Sequence, residues 1–90
     1  MLEKQHVSHS PQHLSVYRNE LVDVDTNGVT FRHCGYPTMG NARAISEWVA
    51  EYKMPFTVRS RLGRITVARR GEAVQALTAE GITFPHREVA

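Results

Sequence analysis

The sequence predicts an α+β fold: an open-faced sandwich with two helices on one face of a mostly antiparallel sheet of four or five strands. Three observations carry this expectation. Asn27-Gly28 separates two segments of alternating apolar and polar residues, a strong short-range signal for a tight hairpin. Residues 57–71, TVRSRLGRITVARRG, alternate in the same way about Leu62-Gly63. Between the two, residues 42–52 carry their apolar side chains at helical spacing.

Taken in order, residues 1–13 read as a flexible polar tail, because Pro11 opposes a helix among its histidines and serines. A single domain over residues 14–90 follows. The stretch HLSVYRNELVDVD reads as a first strand region whose alternation breaks at Arg18-Asn19-Glu20, which predicts a bulge or bend there. A two-residue turn at Asn27-Gly28 then pairs Thr26 with Val29, Val24 with Phe31 and Val22 with His33. That gathers the apolar residues on one face and sets Asp23 against Arg32 on the other.

Pro37 and Gly40 mark a loop, after which Thr38 or Asn41 caps a helix. Ala42, Ile45, Val49 and Tyr52, with Trp48 beside them, form its apolar stripe, and Pro55 ends it. In the second hairpin a two-residue turn at Leu62-Gly63 pairs Arg61 with Arg64, Ser60 with Ile65, Arg59 with Thr66 and Val58 with Val67. Slipping this register by one residue would mix its apolar and charged faces. The segment GEAVQALTAEG predicts a second short helix with Val74 and Leu77 inward and Gly81 as its stop. ITFP reads as a closing strand. The order is β-β-α-β-β-α-β, for which the nearest named architecture, by element order alone, is ferredoxin-like with an added N-terminal strand.

No apolar run approaches the length a membrane helix needs, so no membrane partner is expected. Cys34 is the single cysteine, which fits a reducing cytoplasm and leaves no thiolate-rich metal site. His6, His9 and His13 have the spacing of a helix-borne metal site, but Pro11 breaks that helix and no fourth ligand stands near. No cofactor, metal or catalytic set is expected. His33 and Cys34 are adjacent and point to opposite faces of a strand, so they do not form a nucleophile–base pair.

The net charge is only +2, yet its distribution is uneven. Glu20, Asp23 and Asp25 lie early, whereas Arg59, Arg61, Arg64, Arg69 and Arg70 fall within fifteen residues. The predicted register puts Arg59, Arg61 and Arg64 side by side on the wet face. Arg69 and Arg70 stand at the far end, before the start of the expected second helix. These five, with Tyr36 in the loop CGYPTMGN, are the candidate partner-binding residues. The expected function is a small non-enzymatic binding protein, a regulator, inhibitor or adaptor, meeting an acidic protein partner through the arginines. The alternative is a nucleic-acid-associated protein touching phosphates with the same face. Base stacking is not expected, because Phe31 and Phe56 point inward. A small ribonuclease-type toxin is the outsider, since no histidine falls on the arginine face. Monomer and homodimer are both compatible with this reading.

Overall fold

The computed structural model describes residues 6–86. It contains β1 (Val7–Ser10), β2 (His13–Val16), β3 (Asn19–Asp25), β4 (Gly28–Phe31), α1 (Met39–Glu51), β5 (Phe56–Arg61), β6 (Arg64–Arg69), β7 (Gln75–Ala76) and β8 (Ile82–Pro85). The strands form two antiparallel sheets, one ordered β1-β2-β3-β4-β8 and a smaller one ordered β5-β6-β7. The α+β class holds. The single sheet covered by two helices does not.

The start of the chain departs first from expectation. Residues 7–13 form β1, a turn and the start of β2, where a tail was expected, and residues 1–5 of that tail lie outside the described residues. Pro11 occupies the turn between β1 and β2, a position where its fixed φ fits. The break expected near Arg18 is a two-residue turn at Tyr17-Arg18, both with positive φ. A bulge opposite Leu14 and Ser15 lets the adjacent Leu21 and Val22 both be buried.

The β3–β4 hairpin forms with its register shifted by two residues, so Val24 faces Val29 and Val22 faces Phe31. A two-residue slip keeps every side chain on its own face, which is why the apolar pattern could not detect it. The turn is Thr26-Asn27, held by the Asp25 carboxylate accepting from the Asn27 and Gly28 N–H groups at 2.8 and 3.3 Å. Gly28 is used elsewhere: a side chain there would collide with the Phe84 carbonyl, with the Phe84 carbon and Pro85 Cα at 2.8 Å. Its missing Cβ lets β8 approach β4.

Helix α1 follows the predicted stripe. Thr38 caps it by accepting from Asn41 N–H at 3.1 Å, and Ala42, Ile45, Trp48 and Val49 are buried. The segment expected as a second helix does not form one. It turns at Gly71 and runs as β7, with Ala76 against Thr66, Gln75 against Val67, and Leu77 N–H donating to Ile65 C=O at 2.9 Å. A helix of two turns is marginal by itself, and the open edge of β6 offers backbone partners instead. Leu77 is buried, but Val74 is 64% exposed rather than inward.

Without the expected second helix, the apolar face of the β5–β6 hairpin packs against α1 and the larger sheet. Phe31, Phe56 and Phe84 meet edge to face, with ring centroids 4.9 to 5.9 Å apart, and Trp48 stands edge-on to Phe31 at 6.2 Å. Trp48 also donates its indole N–H to Ser10 C=O at 2.8 Å, and Tyr52 hydroxyl bonds His9 Nδ1 at 2.7 Å. These contacts fasten the first hairpin to the helix. No helix among the described residues is long and apolar enough to cross a membrane.

Candidate functional site

The predicted register of the second hairpin is the observed one, from Phe56 opposite Arg69 to Arg61 opposite Arg64. Leu62 and Gly63 form its turn with φ of 53° and 72°, the left-handed pair a two-residue loop requires. Six consecutive residues, Arg59 to Arg64, are exposed, so the distal half of the hairpin stands clear of the core as an arm. Arg59, Arg61 and Arg64 share its outer face, beside Thr57 and Thr66. None of the three has a hydrogen-bond or ion-pair partner among the described residues.

At the apex Leu62 is 94% exposed. It is an apolar side chain in a backbone region that favours Gly or Asn, at the most outlying point of a cationic arm. An open hollow of about 470 Å³ lies on the arm, lined by Arg59, Arg61, Leu62, Arg64 and Thr66. Among the described residues its lining holds neither carboxylate nor imidazole, and what it offers is donors and positive charge.

The structure divides the remaining candidates. Arg70 is exposed, but no helix start follows it, because the expected second helix is absent. Arg69 is 8% exposed and belongs to the core. Its guanidinium lies 5.5 Å from the ring centroids of both Phe56 and Phe84, donates to Pro85 C=O at 2.6 Å and faces the Glu72 carboxylate at 3.9 Å. It bridges the two sheets and is not available to a partner. The strict alternation Ile65, Val67, Arg69 already places it on the inner face. Tyr36 is exposed in the loop before α1, whose backbone is tied by Tyr36 N–H to His33 C=O at 2.8 Å and by Asn41 Nδ2 to Tyr36 C=O at 2.9 Å.

The histidines are engaged separately. His6 stacks on Tyr17, His9 meets Tyr52, and His13 bonds the Ser8 and Ser10 hydroxyls. No group of three or more metal-ligating side chains converges among the described residues. Cys34 is half-buried at φ 55°, its thiol donating to Glu20 C=O at 3.3 Å. Burial pushes that thiol above its ordinary range, against the opposing pull of Arg32 and with a smaller push from Glu20.

Two features of the arm escaped sequence reasoning. Leu62 was a turn residue by position, and its mismatch with the Asn-Gly preference was the signal that set it apart. The second is a groove of about 290 Å³ between α1 and the inner face of β5, which involves Met39, Val58 and Ser60. No protein family, no curated protein and no solved structure gives a significant match to this chain.

Proposed function

We propose that this protein is a non-enzymatic binding module, of the regulator, inhibitor or adaptor kind, whose β5–β6 arm engages an acidic surface of a protein partner. One observation carries the reading: three arginines share a face of a projecting arm with no counter-charge paired to them among the described residues. Such a face costs the fold some self-repulsion, and surfaces serving solubility alone usually mix signs. Leu62 at the apex supplies an apolar anchor within the cationic rim, a combination suited to a protein surface. The near-neutral total charge of +2 weighs against a general affinity for nucleic acid. The single cysteine, a free thiol, suits a reducing cytoplasm.

The test is capture from lysate by the wild-type protein and by a variant with Arg59, Arg61 and Arg64 all changed to Glu. Each is run with and without nuclease. The expected outcome is a protein partner that survives nuclease and is lost in the triple variant. Capture abolished by nuclease, with a log–log salt slope that the triple change flattens by about three contacts, would assign the arm to nucleic acid instead. A triple variant that retains the partner would remove the arginines from the function.

A further inference from the structure

The arm has a free edge as well as a charged face. In a hairpin closed by two residues, the pair flanking the turn exchanges both backbone hydrogen bonds, and alternate pairs do the same. Arg61, Arg59 and Thr57 therefore bond β6, while Val58 and Ser60 turn their N–H and C=O groups away from it. No partner for these outward groups exists among the described residues. The other sheet edges are short or blunted: β7 has two residues, β1 has four, and β8 ends in Pro85. β5 has six, in unbroken register, with neither proline nor bulge.

A second observation falls on the same two residues. Val58 and Ser60 line the groove of about 290 Å³ whose other wall is α1, with Met39, Ala42 and Ser46. Met39 is 73% exposed there. Arg43 and Glu47 also border the groove and bring opposite charges to it. The groove side of an incoming strand thus meets a small, partly apolar slot, while its outer side meets Arg59 and Arg61.

We infer that β5 accepts an extended segment of the partner as an added antiparallel strand, with acidic side chains at alternate positions. It hydrogen-bonds the backbone of Val58 and Ser60, sets carboxylates beside Arg59 and Arg61, and drops small apolar side chains into the α1–β5 groove. The charges select the occupant. Pairing β5 with β5 of a second copy would bring arginines from both copies together, a like-charge contact that disfavours self-association. An acidic strand turns the same residues into cross-strand ion pairs. The inference rests on the arm reading above and specifies its partner.

The probe is a capped peptide, Glu-Ala-Glu-Val-Glu-Ala-Glu, titrated into the full chain and followed by NMR and amide hydrogen exchange. The expected result is slowed exchange at the Val58 and Ser60 amides, together with shifts at Met39. N-methylating the Ala and Val residues of the peptide removes the donors facing β5 while leaving every side chain, and should weaken binding about tenfold or more. Ser60→Pro deletes one edge donor without touching the β5–β6 ladder, and should weaken binding severalfold, with the unchanged β6 spectrum reporting intact folding. No binding at millimolar peptide would overturn strand addition, as would equal binding of the N-methylated peptide. So would protection of Val58 and Ser60 that rises with protein concentration in the absence of peptide, which would mark self-pairing. If lysate capture still depends on the arginines while the peptide results fail, the arm reading stands and the added strand falls. If the triple Glu variant captures normally, the arm reading itself has failed.

Discussion

Arg61 stands directly opposite Arg64 across the β5–β6 ladder, one residue on each side of the turn. Two guanidinium groups in this position repel, and neither has an ion-pair partner among the described residues. Arg64→Glu should therefore stabilise the protein by roughly 0.2–1 kcal/mol in urea unfolding at low salt, with the gain shrinking as salt rises. A loss of stability would mean that Arg64 has a favourable role in the fold.

Leu62 offers a second opposition of stability and function. At φ 53° a leucine is strained where asparagine is tolerated. Leu62→Asn should raise stability by about 0.5–1 kcal/mol and weaken partner capture severalfold. Unchanged capture alongside increased stability would reduce Leu62 to a poor turn residue.

Arg69 is the cation whose loss the fold should feel most. Arg69→Ala removes its contacts with the Phe56 and Phe84 rings and leaves the Pro85 carbonyl without its donor. The expected cost is roughly 2–4 kcal/mol, measured by denaturant unfolding. Arg69→Lys keeps the charge but not the planar fork, and should recover less than half of it. Partner capture by the folded fraction should be unaffected, unlike that of the arm variants.

Cys34 gives a pH-dependent prediction. Its thiol is raised in the folded chain, chiefly by burial, so folding favours the neutral form. The associated stability is complete below the ordinary thiol pKa and declines as pH rises through the higher folded value. Thermal unfolding at increasing alkaline pH should show this decline, and Cys34→Ala should remove it. Alkylation by iodoacetamide at pH 8 should run slower than for an unfolded control. Partner capture by Cys34→Ala should match the wild type; its loss in a folded variant would give the thiol a functional role.

How much of this molecule could be read from its sequence depended on whether the decisive interactions were local. The β5–β6 register was legible because a slip of one residue would mix Val58, Ile65 and Val67 with Arg59, Arg61 and Arg64, and Gly63 marked where the turn falls. Helix α1 was legible from its cap at Thr38 and its buried stripe. The β3–β4 register was not, because a slip of two residues preserves faces, and Gly28 answers to Phe84 across the sheet rather than to its own turn. The strand at Gln75–Ala76 was read as a helix because its propensity was visible and the waiting edge of β6 was not. Of the candidate site, the three arm arginines lie where alternation put them. Arg69 was misassigned through its charge, although the same alternation turns it inward.

The closing of the larger sheet has a consequence for how the molecule is made. β4 receives its second neighbour from β8, with Val29 against Phe84 and Phe31 against Ile82. During synthesis the ribosome delivers β4 long before β8, so Phe31 must wait with one flank bare until residues near 85 have cleared the exit tunnel. The β3–β4 and β5–β6 ribbons can each zip as they emerge, on the microsecond scale of hairpins, while chain elongation takes seconds. Completion of the aromatic cluster is therefore a late event, and the interval before it is when a nascent copy is most open to capture by a chaperone.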